Sequence, residues 1–293
     1  MSGVVLCVGA LSLDTIFRLD ALPLAPGKYL PTDALEIAQG MATAQAATIV
    51  RLGGRARLWA SCGDDKTGDR IVAQLIEAGI DLTALRRVDD ARSGFSTILM
   101  GPGGDVIVVP QYDSSIRSMP DKLPPMEDIA VVSADVRWPD AAEMAFRAAR
   151  ERGIPAILDL EQAPAAILDR LLPLATHILA SEAGARQVTN LGPEAAVTAL
   201  ADRFGCFAAV TSGAKGVYWP GGHMPAFPVE AIDTLAAGDV FHGAFALRLA
   251  EGAPEVEATR FASAAAAIKC TRFGGRLGAP TRAEVEALLS RSA

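Results

Sequence analysis

Apolar positions along this chain follow two rhythms. Short apolar runs recur, and between them lie stretches whose apolar positions return every three or four residues. The first run, Val4-Val5-Leu6-Cys7-Val8-Gly9, ends on glycine and reads as a buried strand. Residues 41–52 read as an alanine-rich helix and residues 56–60 as the next strand. Residues 69–78 read as a helix with apolar positions at Ile71, Val72, Leu75 and Ile76. Further strands are expected at 129–134, 156–160, 177–180 and 208–211, with helices around 140–152, 164–172, 182–189 and 193–204. Strands alternating with helices predict βαβ units, and so an α/β protein with a mainly parallel sheet covered on both faces.

Two stretches break that rhythm. Residues 14–38 carry Pro23, Pro26, Gly27 and Pro31 and show strand-like pieces without a clear helix. Within 93–113, the runs 95–100 and 106–109 flank the turn Gly101-Pro102-Gly103-Gly104 and predict a hairpin. The two stretches together predict a small sheet over one end of the main layer, either a lid or a surface decoration. No linker or repeat divides the chain, so residues 1–293 are expected to form a single domain with that sheet inserted.

The composition is that of a globular protein, with 51% apolar and 21% charged residues. A net charge of −7 argues against a nucleic-acid surface, which needs clustered Lys and Arg. A nucleotide ligand remains compatible with it, because backbone N–H groups and a magnesium ion offset phosphate charge. Cys7, Cys62, Cys206 and Cys270 are scattered, which reads as reduced thiols. His177, His223 and His242 make no zinc-ligand spacing with them. The first ten residues lack a basic start and a long apolar run, and no stretch is long enough to span a bilayer. The expected location is the cytoplasm, with no membrane partner.

The most informative segment is Ala231-Ile232-Asp233-Thr234-Leu235-Ala236-Ala237-Gly238-Asp239-Val240. It predicts an apolar strand reaching Asp233, a turn of small residues, and a helix beginning near Asp239. Ala236, Ala237 and Gly238 let a ligand approach the backbone, and unpaired N–H donors at a helix start favour an anion. A carboxylate beside that anion can take a proton from an incoming hydroxyl. Aspartate is also a good helix cap. On spacing alone, catalysis and capping stand level.

The run from Asp233 to Asp239 resembles the C-terminal D-T-x-G-A-G-D signature of the PfkB (ribokinase-like) carbohydrate kinases, with Ala236 at the first glycine position. The resemblance continues over nearly the whole chain. Gly9 and Asp14 look like the family's N-terminal G-x-x-x-x-D, and Gln39-Gly40 falls at its glycine-rich motif, with Ala44 where an asparagine is usual. Gly63-Asp64-Asp65 with Gly68 resembles G-x-D-x-x-G. Ser181-Glu182 stands at the N-E pair, and Thr211-Ser212-Gly213-Ala214-Lys215-Gly216 resembles V-T-x-G-x-x-G.

The resemblance implies a ribokinase-like three-layer α/β/α fold with a β-sheet lid, and transfer of the ATP γ-phosphate to a primary hydroxyl of a monosaccharide. It implies Asp239 as base and Ala236, Ala237 and Gly238 as the anion hole. Asp14 and Gly40 would meet the sugar, and Ser181, Thr211, Gly213 and Gly216 the nucleotide. Glu182 would act on Mg2+ indirectly, and Asp233 and Leu235 with the 270–275 loop would take a monovalent cation, K+. The bland readings of Gly213, Gly216 and the tail loop are ordinary turns. A homodimer through the lid is also implied.

A narrower likeness, to 6-deoxy-6-sulfofructose kinases, runs through Pro26-Gly27-Lys28-Tyr29, Ala134-Asp135-Val136-Arg137-Trp138, residues 238–244 and the tail from Phe261 to Arg276. It implies Lys28 and Arg137 as cations for an anionic end of a ketose, Arg137 offering a planar fork. The other reading pairs Arg137 with Asp135 and leaves Lys28 in solvent. Segment 109–112 lacks an asparagine expected for a sulfonate. Fructose, a ribokinase or nucleoside kinase activity, and a non-catalytic sugar-binding regulator are the remaining alternatives. His242, one turn after Asp239, is expected to pack rather than transfer protons.

Overall fold

The computed structural model describes residues 3–23 and 25–291. The chain opens with β1 (Val4–Val8), β2 (Ser12–Arg18), β3 (Asp33–Gln39), α1 (Met41–Arg51), β4 (Ala56–Trp59), β5 (Ser61–Gly63) and α2 (Lys66–Glu77). Next come β6 (Arg86–Val88), β7 (Phe95–Met100), β8 (Val106–Gln111), β9 (Ile129–Asp135), α3 (Pro139–Arg152), β10 (Ala156–Leu160) and α4 (Ala165–Leu171). Then follow β11 (His177–Ser181), α5 (Glu182–Thr189), α6 (Pro193–Phe204), β12 (Phe207–Thr211), β13 (Val217–Trp219) and β14 (Gly222–Met224). The chain ends in α7 (Ala237–Ala250), α8 (Glu255–Cys270) and α9 (Arg282–Arg291).

The main sheet has eight strands in the order β14-β13-β12-β11-β10-β9-β1-β4. From β12 to β4 every pairing is parallel, while β13 and β14 add antiparallel at one edge. Strand period sorts side chains onto two faces. In β1, Val5 and Cys7 join the layer of α1, α7 and α8, with Val240, Phe245 and Phe261. Val4, Leu6 and Val8 face the other way, toward Phe146, Leu158, Val197 and Leu200 under α3 to α6. This is the ribokinase-like three-layer arrangement expected from the sequence, and ligands in such sheets gather at the C-terminal ends of the parallel strands.

The two irregular stretches form a separate four-stranded sheet, β3-β2-β7-β8. Its own small core is Ile16, Ile37, Ile98 and Met100, against which Leu35, Leu235 and Phe273 pack. The hairpin turn between β7 and β8 touches the main domain, where Thr234 Oγ1 donates to Gly104 O at 3.0 Å. β8 is the outer edge, and Val106, Ile107, Val108 and Val109 are all exposed. β5 and β6 pair in a third, two-stranded sheet.

Some boundaries depart from the sequence expectation. α2 begins at Lys66 because Asp65 caps it, accepting from Gly68 N at 2.7 Å. No strand reaches Asp233: residues 225–236 are irregular. Pro225 and Pro228 lack ladder donors, and Ile232 N and Asp233 N both donate to Cys270 O instead of to a strand. α7 starts at Ala237, two residues before Asp239.

All four cysteines are free. Burial raises the pKa of each, Cys62 and Cys206 to about 11. No described helix is long and apolar enough to cross a membrane.

Candidate active site

The site lies where β1, β9, β10, β11 and β12 end. Ala236 caps α7 in a left-handed conformation (φ 63°), with no side-chain cap. The backbone therefore turns sharply: Ala237 N donates back to Thr234 O at 3.1 Å, and the Gly238 and Asp239 N–H groups in the first turn have no carbonyl of the helix to bond. Gly238 is exposed and Asp239 half-buried, in the first turn but not at the cap. The capping reading of Asp239 is thus set aside. Burial, then the charge of Asp159, push the Asp239 carboxyl well above its usual range, with Asp135 and Glu161 adding and His242 opposing.

Those carboxylates come from three neighbouring segments. Asp135, at the end of β9, accepts from Ala10 N at 2.7 Å, Ala42 N at 3.1 Å and Arg137 N at 2.7 Å. Burial still raises its pKa. Asp159 of β10 accepts from Gln45 Nε2 at 2.9 Å, and Gln45 accepts from Ser133 Oγ at 2.8 Å. His242 is buried as expected, its Nδ1 2.7 Å from Gly238 O and its Nε2 3.2 Å from Leu179 O.

On the lid side, Asp14 is 5% exposed and accepts from Ser12 Oγ at 2.7 Å; burial raises its pKa. Gly40 has φ 118°, and a Cβ there would lie 2.4 Å from Ala10 O, so only glycine lets α1 begin against the β1–β2 bend. Gln39 is explained by the tail: its Oε1 accepts from Arg276 N at 3.1 Å, tying the C-terminal loop to β3. Ala44 is fully buried and offers no polar group.

On the nucleotide side, Ser181 caps α5 through Gly184 N at 3.0 Å and donates to Glu161 Oε2 at 3.0 Å. Glu182 accepts from Ser212 Oγ at 2.5 Å and Arg186 at 2.8 Å, and the Ser212 bond holds its pKa below the usual value. Thr211 Oγ1 donates to Ala180 O at 3.3 Å. Gly213 and Gly216 both have positive φ (50° and 93°), and a Cβ on Gly216 would lie 2.0 Å from Met224 O. No group of three or more His, Cys, Asp or Glu among the described residues makes a metal cage. A magnesium ion that keeps its waters and rides on phosphates needs only one or two carboxylates, which Glu161 and Glu182 fit.

The expected anion end is built differently from its sequence reading. Arg137 lines a cleft with Gly9, Ser61, Tyr112 and Arg117, whereas Lys28 sits on an exposed loop. Arg137 meets Asp135 through its backbone N–H, and its Nη1 donates to Gln162 O at 3.2 Å. Sequence reasoning missed Arg117. Its guanidinium carbon stands 3.8 Å from the Tyr112 ring centroid, and its Nη2 is buried with no partner among the described residues. Burial lowers its pKa, and Arg137 lies within electrostatic reach. Tyr112, at the segment that lacks the expected asparagine, is the signal that could have pointed to it.

A carboxyl with a raised pKa beside the N–H donors of a helix start, at the mouth of a parallel sheet, can hold an anion and take a proton from a hydroxyl next to it. The profile of the pfkB family carbohydrate kinases matches residues 4–282. The ribokinase of Bacillus subtilis is 30% identical, with 97% of this chain and 98% of that protein covered. An ATP-dependent ribose-1-phosphate kinase from Halopiger xanaduensis is also 30% identical, over 98% of each. A crystal structure from Agrobacterium tumefaciens, whose ribokinase name is provisional, superposes with a TM-score of 0.96 at 43% identity, covering 100% of this chain and 99% of that one. The chain belongs to the pfkB family of carbohydrate kinases and is an ATP-dependent sugar kinase.

Proposed function

We propose that the chain transfers the ATP γ-phosphate to a primary hydroxyl of a monosaccharide, with Asp239 as base. The observation that carries this is the Ala236–Asp239 turn, which joins the N–H donors of a helix start that has no side-chain cap to a carboxyl of raised pKa. A base with a raised pKa holds the hydroxyl proton more firmly as the oxygen attacks. Ala236, Ala237 and Gly238 supply main-chain donors for the charge on the transferred group. Asp14 and the Gly40 bend position sugar hydroxyls. Ser181, Thr211, Gly213 and Gly216 face the nucleotide. When bound, magnesium neutralises phosphate charge, with Glu161 and Glu182 placed to hold its waters.

Residues 1–293 are read as one domain, with the four-stranded sheet built from about 14–38 and 93–113 inserted as a lid over the site, a reading supported by the Thr234–Gly104 contact. Excluding water protects the phosphate from hydrolysis. The exposed apolar edge of β8 supports a homodimer in which a second lid covers it. Four unpaired thiols fit a cytoplasmic setting.

The relatives favour ribose as the acceptor. One feature of the cleft favours a second reading, a sugar with an anionic end such as 6-deoxy-6-sulfofructose. Arg117 and Arg137 face one cleft while Asp135 spends its oxygens on backbone donors. Two guanidiniums without a carboxylate of their own suit an oxyanion. The test is ADP release with Mg-ATP and ribose, fructose, fructose 6-phosphate, sulfofructose or nucleosides. Turnover of ribose alone supports the first reading and of an anionic ketose alone the second; no turnover of any sugar refutes both.

A further inference from the structure

Every oxygen of Asp233 is engaged within the chain. Its Oδ1 accepts from Leu235 N at 2.7 Å, and its Oδ2 from Gly274 N at 2.8 Å and Gly275 N at 3.1 Å. Lys269, in the last turn of α8, completes the set. Its Nζ lies 2.9 Å from Asp233 Oδ1 and 2.7 Å from the Asp233 carbonyl oxygen. Both side chains are 0% exposed.

A monovalent cation expected at Asp233 and Leu235 would draw on the same carbonyl and carboxylate oxygens. The ammonium already stands against both, and two positive charges do not share one pair of oxygens. Leu235 could offer an ion only its carbonyl oxygen, since its N–H is spent on Asp233 and its side chain packs against the lid core. The residues present do not fit a bound potassium ion.

We propose that Lys269 is a built-in cation, which holds the segment leading into the Ala236–Asp239 turn and makes this kinase independent of monovalent ions. The ammonium aims the Asp233 carbonyl and balances its carboxylate, so Thr234 to Gly238 start from a fixed point. It also places the ammonium within electrostatic reach of Asp239. Burial lowers the pKa of Lys269 and Asp233 opposes that, as a buried pair requires. An ordinary buried ion pair would satisfy the same hydrogen bonds, so the test must separate charge at this spot from packing.

The activity arm rests on the kinase reading; the stability arm does not. Wild-type protein is assayed with Mg-ATP and its acceptor in tetramethylammonium buffer, then with potassium or ammonium at constant ionic strength. The rate is expected to change by less than about twofold, and a rise of about tenfold or more overturns the proposal. In Lys269→Ala, thermal midpoint and kcat are expected to fall and then to rise with potassium or ammonium but not with tetramethylammonium. Lys269→Met keeps the volume without the charge and is expected to fold yet lose about tenfold or more in kcat. Full activity of the methionine variant, or no ion-specific recovery in the alanine variant, overturns the proposal. Should no sugar be phosphorylated, the kinase reading fails, while the wild type's thermal midpoint still decides this question: specific stabilisation by potassium overturns the built-in cation, and indifference to it supports it.

Discussion

His242 Nε2 lies 3.3 Å from Asp159 Oδ1, both side chains almost fully buried beneath the turn that carries Asp239. The other ring nitrogen faces Gly238 O, so both nitrogens meet oxygen atoms. Burial, then the charges of Glu161 and Asp135, push Asp159 well above the usual carboxylate range.

This arrangement makes the pH profile a readout of Asp159. Asp239 must be ionised to accept a proton, so kcat is expected to fall on acidification, with a midpoint above the ordinary value of about 4. Asp159 raises the pKa of Asp239. In Asp159→Asn that repulsion is gone, and the acid limb of kcat should move to lower pH. A limb that stays in place, or moves up, would sink the assignment of the base.

Asp239→Asn tests the base directly. kcat is expected to fall by about 10²–10⁴-fold, while ATP affinity changes little. Stability should not fall. A carboxyl with a folded pKa above its unfolded value stabilises at low pH and loses that contribution as pH rises through the folded pKa. At neutral pH the amide therefore removes a destabilising charge, and the thermal midpoint should hold or rise.

Arg117 and Arg137 bear on the acceptor. If the sugar carries an anion, Arg137→Ala and Arg117→Ala should each raise its KM by about tenfold or more, as losing a charged hydrogen bond of 1.5–3 kcal/mol implies. Ribose, lacking the anion, should be affected far less. Equal effects on neutral and anionic sugars would count against an anion end.

The β8 edge predicts an association. Val108→Lys places a charge among exposed apolar residues at a strand edge, where lysine blocks pairing. Sedimentation velocity should show a dimer for the wild type and a monomer for the variant. A monomeric wild type would dismiss the lid-to-lid pairing.

Much of the fold was legible in the sequence because buried parallel strands leave continuous apolar runs. The run at 156–160 appears with the bounds expected from its pattern. The strand expected to reach Asp233 does not form: Ala231 and Ile232 look like a strand, but the backbone N–H groups of Ile232 and Asp233 both find the distant carbonyl of Cys270. The left-handed Ala236 gives no signal of its own, since alanine seldom adopts that conformation. Asp239, Asp14 and the glycine turns were readable as candidate site residues from local motifs. Arg117, Asp159 and Lys269 were not, because their meaning depends on which strands and helices meet. Gln39 shows the same limit: it stands at a glycine position of the motif, and its bond to the tail at Arg276 N joins residues far apart in the sequence.

The four thiols, each held in its protonated form by burial, have a practical consequence. Maleimide dyes attack thiolates, so native cysteines should label slowly. A cysteine introduced on the solvent side of the small sheet and another on α3 would then take fluorophores selectively. Energy transfer between them would report, molecule by molecule, whether the sheet changes its distance from α3 when sugar and nucleotide are added.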